Sequence, residues 1–161
     1  MLRKFARATC ILCILGFAGL FSGVTLAQTT DPLVGTWNFT ATVTGGCTTN
    51  CKYIGMIAFN QGGTVTEQRG TAVEYSGLGY VDRTAVGKWQ RSTNTTYPYT
   101  YTMKNFVFDS TGNLSGIVLA NSSIKLSSTL PSLNGHATAK IFTASGTLIE
   151  TVTVTIAGTR F

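Results

Sequence analysis

The sequence is poor in the side chains from which active sites and metal centres are usually built. Its 161 residues hold a single histidine and six acidic residues. A general base needs a partner within reach, and no nucleophile-elbow sequence places a serine for His136 to serve. His136, Glu67, Glu74, Asp82, Asp109 and Glu150 show none of the spacings that bind metals. Glu67, Glu74 and Asp82 come nearest to a paired-carboxylate site, but solvated strand faces are the home expected for them. The sequence therefore assigns no catalytic residue, no metal ligand and no cofactor.

Charge is also sparse. The formal net charge of +6 includes Arg3, Lys4 and Arg7 of a positive N-terminal stretch; without these the chain keeps nine basic and six acidic residues, or +3. The nine form no run and no reading helix, which speaks against nucleic-acid binding. The apolar run from Cys10 to Phe21 is shorter than the ~20 residues of a membrane-spanning helix. With Thr25-Leu26-Ala27 behind it, it reads as a signal peptide over residues 1–27, an uncleaved anchor being the alternative. Cys13 follows Leu12 rather than a small residue, unlike a lipidation site. The expected product is a single exported domain, residues 28–161, secreted or periplasmic and without stable membrane insertion after cleavage.

Two of the four cysteines leave with that peptide. The remaining pair, Cys47 and Cys51 in Gly-Gly-Cys-Thr-Thr-Asn-Cys, points to a disulfide in an exported chain. Redox motifs usually carry two intervening residues rather than three, and no histidine or carboxylate in the segment completes a metal site. So short a loop gains only ~2 kcal/mol from chain entropy, so the bridge shapes a loop more than it holds the domain together.

No segment has the 3.6-residue apolar period of an amphipathic helix. What the chain does have is alternation. In Leu33–Thr44, Trp37, Phe39, Ala41 and Val43 fall on one face, and Thr36, Asn38, Thr40, Thr42 and Thr44 on the other, the pattern of a half-buried strand. Further strands are expected over 52–59, 64–73, 80–91, 97–108, 114–126 (less regular, with a candidate break near Asn121-Ser122-Ser123), 133–143 and 148–161. Gly/Asn/Ser turns at 60–63, 76–79, 109–113 and 144–146 separate many of them. In the last strand Leu148, Val152, Val154 and Ile156 form the apolar set, with Glu150 intruding. The expected architecture is all-β, an eight-stranded antiparallel up-and-down β-barrel, since closure removes edges that so many Thr/Val strands would expose.

Gly35-Thr36-Trp37 at the start of the first strand resembles the Gly-x-Trp signature of the lipocalins and the wider calycin barrels. In that group an arginine of the last strand packs across the tryptophan, and Arg160 occupies the corresponding place. The resemblance implies a lipocalin-like barrel with Trp37 and Arg160 as structural residues. The chain departs from the family in ending at its eighth strand, with no helix after it, and it lacks the binding tryptophans of the similarly short avidins.

Eight strands leave an interior that is either filled by side chains or just able to hold one small ligand. Tyr97, Tyr99, Tyr101 and Met103 share one face of the fifth strand, with successive rings ~7 Å apart. They suit a cavity wall with hydroxyls to orient a ligand, or ordinary core, or an exposed strip for a partner. On the first reading Phe59, Trp89, Tyr99 and Tyr101 line a site for a small, mostly apolar molecule. On the second a filled barrel acts on another protein, as an inhibitor or adhesion module, through loops such as Cys47–Cys51 or Ser92–Thr96. A small cyclase- or isomerase-type barrel enzyme is third; a buried, pKa-shifted carboxylate or tyrosine in the cavity would raise it. The covalent mass of the exported protein is expected to equal residues 28–161 less two protons. A mass that retains residues 1–27, or lacks the two-proton loss, contradicts the processing or the bridge respectively.

Overall fold

The computed structural model describes residues 30–44, 51–70, 74–75, 78–81, 83–129 and 131–161; the expected signal peptide and Cys47 lie outside them. Ten strands form among the described residues: β1 (Gly35–Thr44), β2 (Lys52–Phe59), β3 (Thr64–Arg69), β4 (Glu74–Tyr75), β5 (Gly79–Val81), β6 (Thr84–Arg91), β7 (Tyr99–Phe108), β8 (Leu114–Leu126), β9 (Ser132–Thr143) and β10 (Leu148–Arg160). All pairings are antiparallel, and β7 pairs β8 as well as β5 and β6, which closes the sheet on itself.

The ten strands make eight staves. β5 and β6 both pair β7, at Tyr80↔Phe108 and Val81↔Val107 for the one and from Val86↔Lys104 to Arg91↔Tyr99 for the other. They are one stave interrupted at residues 82–83. β3 and β4 relate in the same way, pairing β6 and β5 respectively. Around the barrel each stave neighbours those next to it in sequence, and β1 meets β10 from Trp37↔Arg160 to Thr44↔Thr153. This is the eight-stranded up-and-down barrel that the alternation implied, an architecture consistent with a lipocalin-like barrel.

Trp37, Phe39, Ala41 and Val43 all point inward and are buried. Trp37 is 1% exposed and donates its Nε1–H to the Leu33 carbonyl oxygen at 2.9 Å. Leu33, itself fully buried, is fixed by the Asp31 carboxylate, which accepts its N–H at 2.9 Å. The residues before β1 thus close this end of the barrel. Arg160 lies outside it, its guanidinium 5.1 Å from the Trp37 ring centroid, and donates to the carbonyl oxygens of Pro32 at 3.0 Å and Val34 at 2.5 Å. Gly35 makes room for that arginine: a Cβ there would lie 2.7 Å from Nη2, and its φ of +133° disfavours any side chain.

Two local expectations give way. Leu148 does not join the inward set of β10. A register shift between Leu148 and Glu150 turns it outward opposite Phe142, and it is half exposed; a bulge inverts the parity on one side of it. β8 runs unbroken through Asn121-Ser122-Ser123, because Ser122 points inward where its hydroxyl is bonded. On β7 the alternation continues past Met103, with Asn105 and Val107 inward and Phe106 outward, up to a register shift between Val107 and Phe108.

Replacing Gly35 with Ala combines strained backbone with displacement of Arg160, and is expected to cost about 1–3 kcal/mol. Urea unfolding reads this as a lowered midpoint at unchanged slope; an unaltered midpoint contradicts the role given to Gly35.

Candidate functional site

The sequence singled out Phe59, Trp89, Tyr99 and Tyr101, and the fold brings all four together near the Trp37 end. Val65, from the neighbouring β3, is fully buried. Phe59 meets Trp89 edge-on at 6.1 Å between centroids and Tyr101 at 5.5 Å; Trp89 meets Tyr99 at 6.3 Å. These are the T-shaped and tilted contacts that aromatic rings prefer in packed interiors, so the rings fill the space between them. Trp89 also donates Nε1–H to the Asn60 carbonyl oxygen at 2.9 Å, which anchors it to the β2–β3 turn. Tyr97 is not in the ladder. It precedes β7 and stacks edge-on against His136 at 4.7 Å, with the Lys125 ammonium over its ring at 5.4 Å. His136 itself is exposed on β9.

Deeper in the barrel lies a polar cluster that the sequence reading missed. β3 turns Val65, Glu67 and Arg69 inward, and Glu67 is only 3% exposed. The expectation of a solvated face for Glu67 is therefore overturned. Arg69 Nε donates to Glu67 Oε1 at 2.6 Å, and Nη2 donates to Asn105 Oδ1 at 2.9 Å. Asn105 in turn donates Nδ2–H to the Thr84 carbonyl oxygen at 3.1 Å, and the Arg69 guanidinium sits 4.9 Å over the Tyr53 ring. Tyr101 completes the set, hydrogen-bonded to Ser122. Among the described residues no buried side-chain nitrogen or oxygen lacks a partner, as a charged pair in a low-dielectric interior requires. The signal was present in the chain: Glu67 and Arg69 share the parity of Val65.

Burial pushes the Glu67 carboxyl above its ordinary value of 4.5, and the Arg69 charge and hydrogen bond offset only part of that. Burial likewise pushes the Tyr101 hydroxyl far up, helped by the Glu67 charge, so it stays protonated. Asp31 and Asp109 move the other way. Burial alone would raise Asp31, but the Leu33 N–H and Arg91 hold it below 3.8; hydrogen bonds from Thr111 and Asn113 do the same for Asp109. Glu74's side chain and Asp82 lie outside the described residues, so the acid pairing considered for them has no geometry.

The space beside this cluster, walled also by Phe39, Met103, Ala137 and Ile156, measures about 30 Å³. That holds about one water molecule. A far larger concavity lies on the outside, where Asn38 and Thr40 of β1, Ile54 and Met56 of β2, Gln68 of β3, Asn134 of β9 and Thr159 of β10 line an open groove of about 780 Å³. Gly55 and Gly158 flank Phe39 in register on both sides of β1. A Cβ on Gly55 would lie 2.8 Å from the Phe39 ring and 2.4 Å from the Gln68 carbonyl oxygen, so the wall is drawn close there. Ile54 and Met56 stand exposed in the groove, and its outward side chains carry no formal charge.

Cys51 opens the approach to β2, and its carbonyl oxygen accepts the Val43 N–H at 2.7 Å. No protein-family model matches the chain, and no curated protein or solved structure shows significant similarity to it.

The raised Glu67 pKa has a stability consequence of definite sign. The folded state binds this proton more tightly than the unfolded state, so the contribution is complete below about pH 4.5 and lost as pH rises through the folded value. Asp31 and Asp109, being depressed, contribute fully throughout that window and lose their contribution only as pH falls below it. Urea unfolding from about pH 4 to about pH 8 should show this downward slope in the native protein and not in Glu67→Gln; parallel profiles contradict the assignment.

Proposed function

We propose that the protein is an exported, filled barrel that engages another protein through its outer wall, in the groove over β1, β2, β3, β9 and β10. The observation that carries this reading is the contrast of volumes: about 30 Å³ inside the barrel against about 780 Å³ on its outside. Ligand pockets run from ~300 to ~1,000 Å³, so the space beside the Glu67–Arg69 cluster is an order of magnitude too small for the apolar cargo of a carrier.

The groove's chemistry indicates the kind of surface it accepts. It offers the exposed apolar side chains of Ile54 and Met56, the amides of Asn38, Gln68 and Asn134 and the hydroxyls of Thr40 and Thr159. The staves beneath are hydrogen-bonded to neighbours on both sides, so no free strand edge is available for β-augmentation. An uncharged partner surface bearing apolar side chains matches it. A disulfide between Cys47 and Cys51 fits the same reading by shaping the loop between β1 and β2. The enzyme reading draws on buried Glu67 and Tyr101, but the adjoining space admits a water and no organic substrate.

A photo-crosslinking amino acid at Ile54 or Met56, introduced in the exporting host, is expected to capture one protein partner. The same residue at Lys88 should not. A Tyr99→Ala/Tyr101→Ala variant that remains β-rich by circular dichroism should retain the cross-link. Capture equally strong at Lys88, or only small-molecule adducts at the groove, overturns the proposal.

A further inference from the structure

Away from the groove, the outer surface carries an apolar row that the fold leaves uncovered. Phe106 on β7 lies opposite Ile117 on β8, Ile117 opposite Phe142 on β9, and Phe142 opposite Leu148 on β10. Their neighbours Val107, Val118 and Ile141 are buried, so these four point outward; Phe106 is 39% exposed and Leu148 50%. With staves ~4.8 Å apart, the row runs ~14 Å across the wall. The adjacent row is mixed: Val86 opposite Lys104, Lys104 opposite Leu119, Leu119 opposite Lys140. The Lys104 ammonium lies 5.0 Å over the Phe106 ring, at the margin of the apolar row.

The charge distribution is one-sided. Strands β6, β7, β8 and β9 contain Lys88, Arg91, Lys104, Lys125 and Lys140 and not one aspartate or glutamate. Arg91 is paired with Asp31 at 2.6 Å, which leaves the four lysines. The carboxylates nearest in the chain are Asp82, which lies outside the described residues, and Asp109, which is engaged by Thr111 and Asn113 in the β7–β8 hairpin; Glu150 on β10 is partly buried. A second copy seated face to face would set lysines against lysines with no acid to meet them.

From this we infer that the outer face of β6 to β10 seats the protein on an anionic lipid surface, with the Phe106–Leu148 row in the interfacial layer and Lys104 and Lys140 toward the headgroups. Long lysine stems extend from apolar surface to charged headgroups without losing hydration. In the ring of staves the row is centred between β8 and β9, two to three positions from β1. On β9 and β10 the groove uses Asn134 and Thr159, while the row uses Phe142 and Leu148 at the other end of those strands. A molecule seated this way leaves the groove over β1 to one side of the lipid.

Cosedimentation of the exported protein with phosphatidylcholine vesicles, with and without phosphatidylglycerol, tests this. Binding is expected only with phosphatidylglycerol and should weaken as salt is raised. Each lysine contributes about fivefold, so Lys104→Gln/Lys140→Gln should lower affinity by about 25-fold. Phe106→Ser/Leu148→Ser should abolish binding with circular dichroism unchanged. Absence of binding to phosphatidylglycerol vesicles overturns the inference, as does binding that neither variant weakens. A concentration-dependent dimer in lipid-free buffer that Phe106→Ser/Leu148→Ser abolishes would assign the row to a second copy and overturn it too.

Discussion

The pairing of β1 with β10 is the constraint on which the rest of this structure depends. Every other stave pairs with its neighbour in sequence, across a short turn or a brief interruption. This one joins the two ends of the described chain, and the Arg160–Val34 hydrogen bond beside it spans 126 positions. Such a contact returns its free energy only after most of the chain has been ordered. Without it, two Thr- and Val-rich edges would be left to pair with other chains. The residues that secure it are few: Gly35 leaves room for Arg160, Arg160 covers Trp37 and ties the segment before β1, and Leu33 seals the end beneath.

Closure at eight staves sets the size of the interior, and the interior is spent on structure. Aromatic rings at the Trp37 end occupy one portion and the Glu67–Arg69–Asn105 network another. A buried ion pair gives weak net stability against an apolar replacement, yet removing one partner leaves a charge uncompensated. The network therefore constrains which side chains share the centre more than it adds to stability. On the proposed reading, recognition falls to the surface. It has two distinct faces, an uncharged groove over β1 and an apolar row bordered by lysines centred on β8.

Much of this was legible in the sequence because period-two alternation and turn composition are local. Lys52–Phe59 and Leu114–Leu126 coincide with strands to the residue, and Asn60–Gly63 and Asp109–Asn113 are turns. Less visible were features that depend on a partner strand. Leu148 has inward parity by its own sequence, and only the shifted pairing with β9 reveals that it faces out. Glu67 and Arg69 had the parity of Val65, but charge argued for solvent until each proved to be the other's partner. Whether Tyr99, Tyr101, Phe59 and Trp89 line a hollow or fill it depends on distances across the barrel, which no single strand encodes.

Native mass spectrometry of the protein purified from its own host tests the central claim, that the barrel is filled and works from its outside, most directly. The account predicts the mass of the bare polypeptide under conditions that keep it folded. A retained species of a few hundred daltons that leaves on denaturation, and that the Tyr99→Ala/Tyr101→Ala variant no longer carries, would contradict it and place the function inside the barrel.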